Sequence, residues 1–182
     1  FKLMKLKHLL AMAAMAVIGC GSAWATDVPY NVGSQEVPGT YLVTNSDEYD
    51  LVDGSSWHFV FTNYNNNGAN WNNWALAGND KAGANYFVVR NDNWEDVAGA
   101  NTNCTSDFNW DNFPAQMNGS VVDMTVSRSG SIVTMTSTIT TTENVVYHYS
   151  YHFDKATAAT VGLVLTTNAS WMTITKADYT PA

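Results

Sequence analysis

Apolar and polar residues alternate along most of the second half of the chain. The runs Val121 to Ser127, Ile132 to Thr140, Val145 to Phe153, Thr160 to Thr166 and Trp171 to Thr175 are rich in β-branched and aromatic residues. Ser129-Gly130, Glu143-Asn144, Lys155-Ala156 and Asn168-Ala169 separate them. A period of two between turn signals predicts successive β-strands. Arg128-Ser129-Gly130-Ser131 lies between two alternating runs and reads as a hairpin turn, because glycine takes the positive φ such turns need. Earlier in the chain, Trp57 to Phe61 puts Trp57, Phe59 and Phe61 on one face and His58 and Val60 on the other. Tyr86 to Val89 is apolar on both faces up to Arg90, as in a strand lying inside a sheet. No sustained i, i+3, i+4, i+7 apolar pattern follows the first 25 residues, although Asp111 to Met117 fits one helical turn. The pattern therefore predicts an all-β, two-sheet β-sandwich.

One threonine row stands out. Thr134, Thr136, Thr138 and Thr140 share a strand face, with Met135, Ser137 and Ile139 on the other, so the hydroxyls are expected to face solvent or a groove.

The chain divides into a signal peptide, 1–25, a lead-in or linker, 26–40, and the sandwich domain, 41–182. Lys2, Lys5 and Lys7 precede an apolar run from Leu9 to Ile18 that closes in small residues, the three-part pattern of a secretory signal. That run is shorter than the roughly 20 apolar residues a bilayer span needs. Ala23-Trp24-Ala25 suits cleavage before Thr26. The alternative is a lipoprotein box at Val17 to Cys20, which would tether the domain to a membrane through a lipidated Cys20. Either route gives a secreted or cell-surface protein. The segment from Thr26 to Gly39 holds Pro29 and Pro38, two of the four prolines, and reads as a connection rather than an element.

Charge narrows the partners. Three of the eight basic residues lie in the signal and all 16 acidic ones lie beyond it, leaving five basic residues and a net charge of −11 after its removal. Such a surface repels phosphate backbones, so no nucleic-acid partner is expected. Cys104 is then the one cysteine besides Cys20, so no intramolecular disulfide is expected, and the thiol reads as inert rather than nucleophilic. About 157 residues suffice for one core that buries roughly 68–70% of the unfolded surface, and a monomer is the expected state.

Between Asn63 and Asn118, asparagine, glycine and tryptophan crowd together. Sugars offer C–H faces that stack on aromatic rings and hydroxyls that pair with planar amides and carboxylates. A ligand-binding surface for polysaccharide is therefore expected from Trp71, Trp74, Trp94 and Trp110, with Asn63, Asn70, Asn73, Arg90, Asp92 and Asp111 as polar partners. The competing reading places tryptophan in the core, most of all Trp74, which Ala75-Leu76-Ala77 follows. Asparagine also occurs in loops because it tolerates the left-handed conformation and caps turns.

No metal ligand set is expected. His148 and His152 would share a strand face but stand about 13 Å apart, too far for one zinc. No cofactor is expected beyond a structural calcium that Asp80, Asp92 or Asp111 would serve. For catalysis, Asp92, Asp111 and Glu95 are the acid–base candidates of an alternative reading as a small glycoside hydrolase or lyase. No Gly-x-Ser-x-Gly elbow or phosphate-binding glycine loop is present.

Phe59-Val60-Phe61-Thr62-Asn63 leads to Asn70-Trp71-Asn72-Asn73-Trp74. Tyr86 to Asp92, Asn109-Trp110-Asp111, Met117-Asn118-Gly119 and a Val-x-x-x-Val-x-Arg strand follow. Together they resemble a lectin-like domain appended to secreted polysaccharide-degrading enzymes of gut and rumen Bacteroidetes, and the later strands are similar to concanavalin A-like jelly rolls. The resemblance spans roughly Tyr41 to Tyr179. It implies a jelly-roll sandwich that binds glycans without cleaving them, since the Glu-x-Asp-x-x-Glu strand of the glucanase branch is missing. A structural or adhesive surface protein, with all its aromatics in the core, is the remaining alternative.

Overall fold

The computed structural model describes residues 26–27, 40–43, 49–65, 68–80, 82, 85–97, 100 and 102–182, with backbone alone for the first two segments. The signal peptide, its cleavage site, the Cys20 lipoprotein box and most of the lead-in lie outside the described residues. Among the described residues, no helix is long and apolar enough to cross a membrane.

Among the described residues, twelve strands and one short helix follow one another: β1 (Thr26–Asp27), β2 (Thr40–Val43), β3 (Ser56–Tyr64), β4 (Trp74–Asn79), β5 (Asn85–Arg90), β6 (Glu95–Val97), β7 (Thr102–Ser106), α1 (Phe113–Met117), β8 (Ser120–Ser129), β9 (Ile132–Thr140), β10 (Val146–Phe153), β11 (Gly162–Thr167) and β12 (Trp171–Thr180). They form two antiparallel sheets. One has seven strands in the order β1-β12-β3-β8-β9-β10-β7 and the other five in the order β2-β11-β4-β5-β6. The protein is an all-β sandwich.

Alternation explains why the sheets stack. In β3, Trp57, Phe59, Phe61 and Asn63 are buried while His58, Val60, Thr62 and Tyr64 are partly exposed, and β8 and β9 alternate in the same way. Each sheet thus has one apolar face that leaves water when it packs on the other. Aromatic rings bridge the layers: Trp74 of β4 meets Phe61 edge-on at 5.9 Å and Tyr149 of β10 at 5.9 Å, while Phe87 of β5 lies 5.3 Å from Tyr151 and 5.4 Å from Phe153. Gly78 makes room for one of these rings. It pairs with Phe87 across the ladder, and a Cβ there would run into the Phe87 ring.

Local chemistry sets the turns. Gly130 carries φ +60° between β8 and β9 with open space around it, as the Ser-Gly turn predicted. The structure adds strands that patterning missed. β6 and β7 are short and mostly polar (Glu95-Asp96-Val97 and Thr102-Asn103-Cys104-Thr105-Ser106), with Val97 and Cys104 their one core-facing residue each, too few to mark a strand by pattern. The segment read as a lead-in contributes Thr26 and Asp27, which pair with Tyr179 and Asp178.

At one end of the sandwich a single buried guanidinium closes the chain crossings. Arg128 donates to the carbonyls of Leu51, Ala156, Ala158, Ala159 and Gly130 at 2.7–3.1 Å. Its five fixed N–H donors hold the connection between β10 and β11 against the strand ends. The opposite end, free of such a clamp, carries the asparagine- and tryptophan-rich loops.

Candidate functional site

At that end four asparagines act as internal fasteners. Asn63, at the end of β3, donates from Nδ2 to Asn73 Oδ1 at 2.8 Å and to the Met117 carbonyl at 3.0 Å. Asn73 donates to the Asn70 carbonyl at 2.8 Å, and Asn65 donates to the Pro114 carbonyl at 2.9 Å. Asn118 Oδ1 accepts from the Asn65 backbone N–H at 3.0 Å. These bonds tie β3 of the larger sheet to the start of β4 in the smaller one and to α1. Planar amides can do this because each offers two donors and an acceptor, satisfying loop backbone groups that burial would otherwise strand.

Asn63 and Asn73 are therefore buried and unavailable to a ligand. Trp74 is buried as well, wedged between Phe61 and Tyr149. These three expected binding residues are corrected to core residues. The run 73–76 is buried throughout, with Trp74 turned from the smaller sheet onto Phe61 and Tyr149 of the larger one.

The other three tryptophans face outward: Trp71 is 55% exposed, and Trp94 and Trp110 are each 44% exposed. Each sits on a braced loop. The Trp71 carbonyl accepts from Asn168 Nδ2 at 3.0 Å, linking it to the β11–β12 turn. Trp94, in the β5–β6 turn, packs against the Arg90 guanidinium 4.8 Å from its ring centre. Trp110 leans on Phe113 at 4.8 Å and on Phe108 at 5.6 Å. Arg90 and Asp92 hold each other in a two-point pair at 2.7 and 2.9 Å, which fixes the guanidinium beneath Trp94. Asn70 and Asp111 are exposed, and the Asp111 backbone N–H donates to Asn109 Oδ1.

A second surface was only half visible in the sequence. The outer face of the seven-stranded sheet holds a groove of about 520 Å³. Two cross-strand rows floor it. Thr125, Thr136, Ser150 and Thr105 stand opposite one another on β8, β9, β10 and β7, and Asp123, Thr138 and His148 form the next row, with His58 and Val60 of β3 continuing the two rows just outside the lining. The threonine row of β9 thus faces a groove. An imidazole–carboxylate pair stands at each side: His58 Nε2 lies 2.8 Å from Asp123 Oδ1, and His148 Nδ1 lies 2.9 Å from Asp107 Oδ2. The backbone N–H of His148 also donates to Asp107 Oδ1 at 2.6 Å. This backbone bond, then the bond to the imidazole, holds the Asp107 carboxyl below its usual pKa. Neither Asp107 nor Asp123 was among the expected site residues. The outward phase of His58 and His148 could have pointed to the face, but their partners come from other strands.

No family model, curated protein or solved structure matches this chain.

Asp92 is engaged by Arg90, Glu95 Oε1 accepts from Thr102 Oγ1 at 2.9 Å, and Asp111 belongs to the loop before α1. In the groove, Asp123 and Asp107 stand on strands three spacings apart, roughly 14 Å between backbones, and each carboxylate is taken up by an imidazole. Among the described residues, no three His, Cys, Asp or Glu side chains gather as a metal ligand set. Cys104 is half-buried, and burial pushes its thiol pKa up, away from the thiolate a nucleophile needs.

Proposed function

We propose that this domain is a non-catalytic carbohydrate-binding module of an exported protein, holding polysaccharide through the tryptophan-bearing loop end of the sandwich. One observation carries the reading: three indole rings stand 44–55% exposed at the same end, the Trp71 loop fixed by buried asparagine amides, Trp94 by the Arg90–Asp92 pair and Trp110 by Phe108 and Phe113. A large apolar ring left in water at this extent costs solvation, and a rigid mount lowers the entropy lost when a sugar face stacks on it. Asn70 and Asp111 offer polar groups beside the rings, and the Arg90–Asp92 pair orients Trp94. The uptake of each groove carboxylate by an imidazole weighs against the hydrolase alternative, and the exposed rings weigh against a purely structural role.

The test is retention of the full chain on a panel of soluble and insoluble polysaccharides, with and without a chelator, while the same tubes are assayed for released reducing ends. Retention without release is the expected result. Release would make the protein an enzyme, and loss of retention on chelation would support a structural calcium. Absence of both retention and release would leave a structural or adhesive protein.

A further inference from the structure

We infer that the groove on the outer face of the seven-stranded sheet is a second binding site, separate from the tryptophans, and that it takes an uncharged, hydroxyl-rich glycan strand. The inference rests on the carbohydrate reading but not on the residues that carry it.

The lining decides the ligand class. Thr105, Thr125, Thr136, Thr138 and Ser150 present hydroxyls, each able to donate and accept, at the regular spacing of neighbouring strands. No lysine or arginine lines the groove, while Asp107 and Asp123 do, within a chain of net charge −8. A uronate or sulfated chain would meet repulsion with no cation to offset it. An apolar ligand would strip water from the hydroxyls and return no hydrogen bond. A hydroxyl-bearing sugar satisfies them in both directions. The two carboxylates already accept from an imidazole N–H, which leaves His58 Nδ1 and His148 Nε2 for other partners. Asp107 and Asp123 thereby act as positioning residues for imidazoles that can donate or accept toward a sugar hydroxyl.

The floor is also built ahead of the ligand. Thr105 and Ser150 bond to each other at 2.6 Å, and the rows are fixed by the ladders of β8, β9, β10 and β7. Little ordering cost therefore remains to be met on binding.

The test measures affinity of the full chain for a neutral polysaccharide, polygalacturonate and chitosan, using wild type, Thr136→Val, Asp123→Asn, and the double variant Trp71→Ala/Trp94→Ala. Thr136→Val keeps a β-branched side chain at an exposed strand position, so an unchanged melting temperature is expected and serves as the folding check. In parallel, the His58 and His148 imidazole resonances are followed by NMR as a neutral oligosaccharide is added. The expected result is binding of the neutral glycan alone, weakened at least tenfold by Thr136→Val and by Asp123→Asn, with both imidazole signals shifting even in the tryptophan variant. Preference for polygalacturonate or chitosan would overturn the inference. Unmoved imidazole signals, with groove variants that bind like wild type, would overturn it while leaving the tryptophan site standing. A wild-type chain that binds none of the three would overturn both readings.

Discussion

The loop end and the outer face of the larger sheet reach a candidate binding surface by opposite means. The outer face needs only regular strands: period-two alternation turns Thr134, Thr136, Thr138 and Thr140 outward, and the ladder register sets them beside Thr125 and Ser150. The loop end has no such repeat. Its surface exists because Asn63, Asn65 and Asn73 bury their amides and hold Trp71 and its neighbours where they stand. Rigidity comes from the backbone ladder in one case and from side-chain hydrogen bonds in the other. The first should tolerate substitution of its surface residues without loss of fold, and the second should not tolerate loss of its buried amides.

The sharpest contrast lies between two tryptophans three residues apart. Trp74→Ala removes a ring packed between both sheets and should cost about 3–5 kcal/mol of unfolding free energy in a denaturant titration. Trp71→Ala should leave stability within about 0.5 kcal/mol. A Trp71→Ala protein as unstable as Trp74→Ala would show that the loop-end rings belong to the core.

Asn73→Ala comes next. It deprives the Asn63 amide of an acceptor and the Asn70 carbonyl of a donor, each inside a closed network, at about 1–3 kcal/mol per stranded group. The expected signature combines a lower denaturation midpoint with weaker polysaccharide retention, because the Trp71 loop loses its mount. Full retention by this variant would separate the asparagine network from binding.

Trp71→Ala and Trp94→Ala, in stable proteins, should each weaken binding by about 1–3 kcal/mol, as aromatic anchors do, read as a shift in affinity electrophoresis. Equal binding by both variants and wild type would remove the loop end from the proposal.

The smallest effect is on pH. The folded pKa of Asp107 lies below its unfolded value, so its contribution to stability is fully present above roughly pH 4 and is lost as pH falls through the folded value. The side chain is more than half exposed, so solvent screening limits the effect to about a few tenths of a kcal/mol. Asp107→Asn should therefore flatten the acid side of the stability profile slightly, with no change near neutrality. A large change at pH 7 would give the His148 pair a greater structural weight than its exposure allows.

The strand-rich class, the hairpin at Gly130 and the inward phase of Trp57, Phe59 and Phe61 were legible in the sequence, because alternation and turn residues act over a few positions. So was the outward row of β9. β6 and β7 were not, since short polar strands are defined by the neighbours they pair with rather than by their own pattern. For the candidate site, residue type alone selected Trp71, Trp94 and Trp110 together with Trp74, and composition could not divide them. What divides them is which face the second sheet covers, a long-range fact. The same holds for asparagine: Asn63 and Asn70 look alike in the chain, yet one is sealed between β3 and α1 and the other meets solvent. Asp107 and Asp123 gained a role only when folding set β3 beside β8 and β7 beside β10 and placed an imidazole against each carboxylate. Local periodicity therefore determined what each strand shows to either side, whereas burial and cross-strand partnership, which depend on contacts between distant segments, were decided by the tertiary structure.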